Sequence, residues 1–329
     1  MKQIISFLET AKLARKQIYR NLTVFPLLAP NGIVPDYLTL EQALDQNFIR
    51  ITELDTEGSV PELKLKNLGK KKVLIIEGEE LVGAKQNRIV NSSFLIAGKI
   101  EVVIPVSCVE QGRWRYRSER FESGKKMMHA SLRREHQEEV KFSLKRGDGY
   151  RSNQGRIWNN IADKSARMNV AAPTGAMADV FESYDDNLSK FLDKFRLIEW
   201  QIGAIFAING KVLGIECFGC HDTFKRFFDK LLKSYALDAL DNPKKQEKKS
   251  VPPGDARRFI KSTTKSKGEG HPSIGLGTNI TFESRTVSGI ALVEEDRVLH
   301  LSAFKKEKIS NSPGVGFQRY SHRRTRRIY

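Results

Sequence analysis

The sequence contains little cysteine and has no long apolar run. Three cysteines in 329 residues are too few for the disulfide framework of a secreted protein and fit a reducing compartment. The most apolar stretch, residues 94–109, is interrupted by Lys99 and Glu101, so a membrane-spanning helix is not expected. The first residues also lack the small-residue cleavage site of a secretion signal. We therefore expect a cytoplasmic protein without a membrane partner.

The positive charge is strong but unevenly distributed. The chain has a net charge of +17. Residues 244–267 hold nine basic and two acidic residues, and residues 305–329 hold eight basic and one acidic residue. These two segments account for most of the excess, so the basic composition by itself does not indicate a nucleic-acid-binding protein.

Short β-rich segments dominate the first half of the chain. Each is rich in Ile, Leu or Val and typical of a strand, and together they cover residues 48–54, 63–65, 73–76, 92–96 and 101–106. Thr39 followed by Gln42 predicts the capping box of a short helix. Asn209-Gly210 between apolar runs predicts a hairpin, and a last hairpin is expected around residues 294–296.

Helical periodicity is concentrated in the middle of the chain. Apolar residues recur at helical spacing in residues 125–145 and 224–232, and residues 179–194 indicate a further helix. The predicted fold class is therefore α+β, with a mostly antiparallel sheet of several hairpins covered by mid-chain helices, and with a C-terminal hairpin that follows a basic linker.

Five segments are predicted along the chain. An N-terminal surface helix spans residues 1–19, and an α+β core domain spans 20–241. A basic mobile linker is expected over 242–270, because its lysine- and proline-rich sequence is too poor in apolar residues to pack. A C-terminal hairpin over 271–304 returns to the core, and a basic tail covers 305–329.

Cys217-Phe218-Gly219-Cys220-His221 matches the attachment pattern of a c-type haem and contains a CxxC pair. Haem attachment calls for export, and a zinc site calls for a second pair of ligands, whereas the remaining cysteine is distant. We expect the end of a strand followed by a helix start, with metal or redox chemistry as the alternative. His136 and His300 lie among apolar residues and are likewise expected to be structural rather than catalytic.

The segment RWRYR, residues 113–117, alternates cations with aromatic rings. On a strand, the three arginines would share one face and the two rings the other. Such a surface suits a nucleic acid or a nucleotide. An amphipathic edge strand with buried rings and solvated arginines is the structural alternative.

The densest polar chemistry follows the apolar run VLII. In residues 77–88, EGEELVGAKQNR, three glutamates precede two amides and two cations. Like charges this close repel one another unless a cation, a metal or hydroxyl donors lie among them. Carboxylates accept hydrogen bonds from ribose hydroxyls, Lys and Arg hold phosphate, and amides recognise a base edge.

A second polar cluster ends the next long strand. SCVEQGRW, residues 107–114, supplies a thiol, a carboxylate, an amide, an arginine and an indole. Two strands ending in such clusters predict one shared pocket. The alternative is an internal salt-bridge network around a loop.

The chain resembles the prokaryotic family of the ARG and Rhodanese-Phosphatase-superfamily-associated Protein domain. The resemblance covers most of residues 20–304. It is carried by GEELVGAKQNRIVNSS (78–93), IPVSCVEQGRW (104–114), PTGAM (173–177), GAIFAINGKVLGIECF (203–218) with KLLKSYALDAL (230–240), and GLG…ALVEEDRVLHLSAF (275–304). It implies a module of a conflict or stress system that handles ADP-ribose or a related nucleotide, but no established reaction or cofactor.

The predicted function is binding, and processing if chemistry occurs, of an ADP-ribose-like or nucleotide ligand. The candidate catalytic residues are Glu79, Glu80, Cys108 and Glu110. The candidate ligand-binding residues are Lys85, Gln86, Asn87, Arg88, Arg113 and Trp114.

Each candidate has an expected role. Glu79 or Glu80 would act as a general base or hold a divalent metal, Arg88 and Arg113 would hold phosphate, and Trp114 would stack on the ligand. Cys108 would be a nucleophile only if a neighbour lowers its pKa.

Two rival functions remain open. One is a non-enzymatic nucleic-acid-binding accessory protein that uses the RWRYR strand, the basic linker and the basic tail. The other is a scaffold that docks partner proteins of a defence system. The sequence does not decide whether the protein is an enzyme.

Overall fold

The computed structural model describes residues 1–29, 34–55, 57–243 and 251–306. These residues form eight helices and eighteen strands. All strand pairs among them are antiparallel except one. The α+β prediction is therefore confirmed.

The strands occur throughout the chain. In chain order they are β1 (Lys12–Leu13), β2 (Gln17–Tyr19), β3 (Leu22–Leu28), β4 (Tyr37–Thr39), β5 (Ile49–Thr52), β6 (Glu62–Asn67), β7 (Lys72–Ile75), β8 (Glu79–Gly83), β9 (Arg88–Val90), β10 (Phe94–Ile96), β11 (Glu101–Cys108), β12 (Phe121–Met127), β13 (Gln201–Ile208), β14 (Lys211–Phe218), β15 (Lys267–Pro272), β16 (Thr278–Glu283), β17 (Val287–Glu294) and β18 (Arg297–Lys305).

The helices lie mainly in the middle of the chain, as expected. They are α1 (Lys2–Thr10), α2 (Leu40–Asp45), α3 (Ala130–Lys145), α4 (Gln154–Arg167), α5 (Met177–Ser183), α6 (Asp185–Leu192), α7 (His221–Asp241) and α8 (Pro253–Thr264).

A nine-stranded antiparallel sheet forms the centre of the molecule. Its order is β1-β3-β13-β14-β18-β17-β16-β15, and β2 pairs with β3. Both predicted hairpins lie in this sheet and are confirmed. Asn209 and Gly210 take positive φ angles of 52° and 78° in the turn between β13 and β14, as a two-residue hairpin turn requires. Glu295 and Asp296 do the same between β17 and β18.

Two smaller sheets come from the first half of the chain. One has the order β12-β8-β9-β11-β6-β5, and the other has the order β10-β7-β4, in which β4 runs parallel to β7. The predicted capping box is present at the start of α2, where Gln42 N donates to Thr39 Oγ1 and Thr39 N donates to Gln42 Oε1. The first half of the chain thus contains the predicted strands with small changes of bounds.

Both faces of the nine-stranded sheet are covered. Phe206, Phe218 and Tyr235 belong to the apolar core on the α7 side. On the other face, Ile4 of α1 and Phe259 of α8 join a second core. A third core lies within the smaller sheets. Burial on both faces explains why β13 and β17 are buried along their whole length.

Two predicted segments differ from the structure. Within the expected linker, residues 253–264 form α8, and β15 begins at residue 267. Residues 244–250 lie outside the described residues. The N-terminal helix ends at Thr10, and its Ile4 and Leu8 are buried. The linker prediction was wrong over residues 253–264 because Ala256 and Phe259, at a spacing of three, suffice to hold a helix against an existing sheet.

The basic tail prediction lies largely outside the described residues, which end at Lys306. Lys305 is the last residue of β18. The domain division stays a prediction, but β18 lies between β14 and β17. The C-terminal hairpin is therefore an inner part of the large sheet.

Candidate functional site

The second half of the first predicted polar cluster meets the second cluster in space. The turn of residues 84–87 joins β8 to β9, and Cys108 of β11 pairs with Arg88 of β9. Gln86 Nε2 donates to the carbonyl of Glu110 at 3.0 Å, and Asn87 N donates to Glu110 Oε2 at 3.0 Å. We call the set Gln86, Asn87, Arg88, Cys108, Glu110 and Arg113 the Arg88 cluster.

Arg113 holds this cluster together through several hydrogen bonds. Its Nη2 lies 2.7 Å from Glu110 Oε2 and donates to Asn87 Oδ1 at 3.0 Å. Its Nη1 donates to the carbonyl oxygens of Ala84 at 2.7 Å and Arg115 at 3.1 Å. With its guanidinium engaged in this way, Arg113 holds the turn in place and is poorly suited to hold a phosphate. The segment 113–117 forms no strand, so the prediction of one arginine face there was wrong.

Arg88 is completely buried and only partly satisfied. Its Nη1 donates to Gln86 Oε1 at 3.1 Å, whereas Nε and Nη2 have no hydrogen-bond partner among the described residues. Glu53 Oε1 lies 3.9 Å from Nη2, and Glu53 Oε2 likewise has no partner within the described part of the chain. Burial lowers the pKa of Arg88. Unpaired buried donors and acceptors are costly, so this pair needs an explanation.

An aromatic layer separates Arg88 from solvent. The Trp114 ring centroid lies 5.9 Å from Arg88 Cζ, and 49% of Trp114 is exposed. Lys85 Nζ lies 5.1 Å from the Trp114 ring and 5.2 Å from the Tyr116 ring, within cation–π range. Lys85 Nζ also donates to the carbonyl of Glu57. The layer thus places an exposed ring directly above a buried cation.

Cys108 is a buried neutral thiol rather than an activated nucleophile. Its Sγ donates to Gln86 Oε1 at 3.1 Å. Burial raises the pKa of Cys108, although the nearby Arg88 opposes this effect. A nucleophilic Cys108 would need a lowered pKa, and its surroundings in this conformation do not provide one.

Glu110 is ionised and fully engaged. Burial acts to raise its pKa, but the hydrogen bond from Arg113 and the others it accepts hold the pKa below its ordinary value. Thr174 Oγ1 of the PTGAM segment donates to Glu110 Oε1 at 3.1 Å, and Gly112 N donates to the carbonyl of Thr174 at 2.7 Å. A third motif therefore packs against the first two.

Glu79 and Glu80 point in opposite directions from β8, as neighbouring residues of a strand do. Glu79 accepts from Ile76 N at 2.9 Å and from Lys230 Nζ at 3.3 Å, so it is engaged with α7. Glu80 is buried, and neither carboxylate oxygen has a hydrogen-bond partner among the described residues. Burial raises the pKa of Glu80 to about 7. The structure thus separates two residues that the sequence placed together.

The remaining glutamate of the EGEE run belongs to a central ionic network. Arg133 of α3 donates to Glu77 Oε1 at 3.1 Å and to both carboxylate oxygens of Glu216 at 3.0 Å. His300 Nδ1 lies 2.8 Å from Ser93 Oγ, and its Nε2 lies 3.8 Å from Glu216 Oε2. The network is fully buried, and it joins α3 to Glu77 before β8 and to β14 of the nine-stranded sheet.

The Cys217–His221 string covers the end of β14 and the start of α7, as expected. Cys217 is a buried residue near the end of β14, and Cys220 is the residue before α7. His221 Nδ1 donates to the carbonyl of Gln201 at 2.8 Å. Within the described residues, no group of three or more His, Cys, Asp or Glu residues could hold a metal ion. His136 is also buried, and burial lowers its pKa to about 4.

Three residues at the site were not predicted. Glu53 follows β5, Thr174 lies in the PTGAM turn, and Gln154 begins α4. Gln154 forms a pair of hydrogen bonds of 2.8 and 2.7 Å with the backbone of Cys108. The PTGAM motif was a signal for Thr174, whereas Glu53 and Gln154 are isolated polar residues that no local pattern distinguishes.

The fold and site define an α+β protein with a buried arginine beneath an exposed aromatic layer. Its sequence matches the model of the ARG and Rhodanese-Phosphatase-superfamily-associated Protein domain over residues 10–304. The chain belongs to this family. The search of curated proteins and the search of solved structures both gave no match. In the described part of the chain, no helix is both long enough and apolar enough to cross a bilayer.

Proposed function

We propose that the Arg88 cluster binds an ADP-ribose-like or nucleotide ligand. The observation that carries the proposal is the guanidinium of Arg88, which is completely buried with two nitrogens unpaired among the described residues. A phosphate oxygen would satisfy these donors, since charge-assisted hydrogen bonds to Arg are strong.

The surroundings of Arg88 fit the rest of such a ligand. Trp114 offers an exposed ring on which a base can stack. Glu53 Oε2 is an unpaired acceptor that can receive a hydrogen bond from a ribose hydroxyl. Lys85 lies over the Trp114 ring, so it would have to move away when a base stacks there. In its new position Lys85 would be able to pair with a phosphate.

The cluster supports binding more strongly than chemistry. Glu110 is engaged by Arg113, Asn87 and Thr174, and the raised pKa of Cys108 disfavours nucleophilic attack. Glu79 is engaged with Lys230. Glu80 keeps a pKa suited to proton transfer and is the residue to test if turnover is observed.

Isothermal titration with ADP-ribose, AMP and inorganic pyrophosphate tests the proposal. Arg88→Met removes the charge while keeping an apolar side chain of similar length, and we expect it to weaken ADP-ribose binding by at least tenfold. Trp114→Ala should weaken ADP-ribose and AMP by roughly tenfold and leave pyrophosphate unaffected.

The control is Arg257→Met on α8, an exposed arginine that should leave all affinities unchanged. Circular dichroism would establish that each variant is folded. Absence of heat with all three compounds, or equal affinities of wild type and Arg88→Met, would refute the proposal.

The family name supports a role beside ADP-ribosylglycohydrolase-like or rhodanese-phosphatase-like proteins. We propose that the protein is a prokaryotic conflict- or stress-system module with such proteins as partners. The rival nucleic-acid surface at residues 113–117 is weakened, because Arg113 is buried and engaged within the cluster. The cytoplasmic location stays a prediction.

A further inference from the structure

A basic groove runs along the face of helix α3 that is opposite to Arg133. It encloses about 1140 Å³ and lies between α3, the segment that leads into α4, and the end of β18. Six cations line it, namely Arg134, Arg146, Arg151, Arg156, Lys305 and Lys306. We propose that this groove binds the phosphate backbone of a single-stranded nucleic acid.

The acids in the groove do not cancel this charge. Four acidic residues, Glu135, Glu138, Glu139 and Asp148, line the same space, so the lining has two more basic than acidic residues. One of the six cations, Lys306, also pairs with Glu283 outside the groove at 2.9 Å. Glu139 Oε2 accepts from Asn153 N at 2.7 Å, and its Oε1 lies 3.4 Å from Arg156 Nη1. Asp148 lies 3.2 Å from Arg146 Nε. Glu139 and Asp148 are therefore held by a backbone amide and by neighbouring cations. They orient the guanidinium groups of Arg156 and Arg146, whose side chains remain 70% and 63% exposed.

An exposed aromatic ring indicates that the ligand is single-stranded. Phe142 lies in the groove with 62% of its surface exposed, although it belongs to a helix that buries its opposite face. Arg146 Cζ lies 5.5 Å from the ring centroid. A ring flanked by guanidinium groups can stack on an unpaired base while the cations follow the phosphates. The bases of a duplex are paired and stacked, so they would leave the ring unused.

The sequence that follows the groove has the same charge. Lys306 is its last described residue, and residues 307–329 contain six basic residues and one acidic residue. A basic segment of this composition adds long-range attraction to a polyanion. This supports a long polyanion over a single nucleotide as the ligand. The groove shares no residue with the Arg88 cluster. The nucleic-acid proposal for the groove can therefore be tested independently of the proposed nucleotide site.

Fluorescence anisotropy with labelled oligo-dT at several salt concentrations tests the groove on the full-length protein. Phe142→Leu keeps an apolar side chain but removes the ring, and it should weaken binding by roughly tenfold. Phe142→Tyr should bind like wild type. Arg151→Ala and Lys305→Ala should each reduce the slope of log K against log salt by about 0.7.

The matched controls are Trp200→Ala, an exposed ring elsewhere, and Arg257→Ala on α8. Both should leave the affinity for oligo-dT unchanged. Three results would overturn the proposal: no binding of oligo-dT at low salt, binding that Phe142→Leu and Arg151→Ala leave unchanged, or equally tight binding of a polyglutamate peptide. The last result would identify an acidic protein partner instead.

Discussion

Glu80 differs from the adjacent Glu79 in its hydrogen bonding. It is buried without a hydrogen bond among the described residues, and its nearby charges are mostly negative, from Glu182, Glu110 and Asp179, with Lys126 as a cation. Burial therefore favours the protonated carboxyl. The next residue toward the N-terminus, Glu79, has Lys230 as a partner instead.

Glu80 should make stability fall as pH rises. The folded-state pKa of about 7 lies above the ordinary value of 4.5, so the folded protein holds a proton that the unfolded chain has lost between these two values. Stability contributed by the protonated form is full below pH 4.5 and is lost by pH 7 and above, by about 3 kcal/mol in total.

Glu80→Gln should therefore raise the free energy of unfolding at pH 8 by about 3 kcal/mol and have little effect at pH 4.5. Urea denaturation at the two pH values measures this. Glu79→Gln is the matched comparison. Burial raises the pKa of Glu79 as well, but this carboxylate pairs with Lys230. Removing one partner of a buried ion pair destabilises the fold, so we expect a loss of stability at pH 8. An equal effect of Glu80→Gln at both pH values would contradict the assignment.

At the scale of elements, the irregular part of β12 covers Glu80. The pairing of β12 with β8 shifts register between Ser123 and Met127. A Cβ added to Gly124 would lie 2.5 Å from Glu80 Oε2 and 2.9 Å from its Cβ. The strand can pass over the carboxyl only because residue 124 has no side chain.

Gly124→Ala should therefore cost about 1–3 kcal/mol of stability through overpacking. The cost should fall, but not disappear, in the Glu80→Ala background, since that change removes Oε2 and Cγ and leaves the Cβ of residue 80 at 2.9 Å from the added methyl group. A double-mutant cycle by urea denaturation measures this coupling. Gly155→Ala in α4 is the control and should be close to neutral, as the nearest atom to its added Cβ is 3.5 Å away. Additive effects of the two changes would refute the proposed contact.

Elements were predictable where their signals are local. The capping box of Thr39 and Gln42 depends on atoms three residues apart, and the Asn209-Gly210 turn depends on two backbone conformations. Helix α8 was missed because its stability comes from contacts with a distant sheet rather than from its own composition. Part of the site was predictable because residues 86–88 and 108–113 are dense local clusters. Glu53 and Gln154 were missed because each is a single polar residue.

On the scale of the whole molecule, Arg133 connects regions far apart in sequence. It pairs with Glu77, which precedes β8, and with Glu216 of β14. Tyr235 of α7 donates to the same Glu216 at 2.9 Å. Paired and hydrogen-bonded charges of this kind tolerate burial, but removing one partner leaves an uncompensated charge.

Arg133→Met should lower the free energy of unfolding by about 3–5 kcal/mol, because two buried carboxylates lose their cation. Arg134→Met, at the next position of α3, should change it by at most about 1 kcal/mol, as its pairing with Glu135 is at the surface. Chemical denaturation followed by circular dichroism and by tryptophan fluorescence would measure both. We expect one coincident transition for wild type; two separate transitions would show that the regions joined by Arg133 unfold independently.

The sequence by itself determined the α+β class, the two hairpins, and the presence of polar clusters at the ends of two strands, because each depends on neighbouring residues. Only the tertiary structure decided that Glu79 faces α7 and that Glu80 has no hydrogen-bond partner among the described residues. It also decided that Arg113 holds the turn, while Nε and Nη2 of Arg88 have no hydrogen-bond partner in the described part of the chain. The physical reason is that strand alternation fixes which residues share a face but not what lies opposite each face. That choice is made by packing partners such as Lys230, Glu53 and Glu110, which lie far away in the chain.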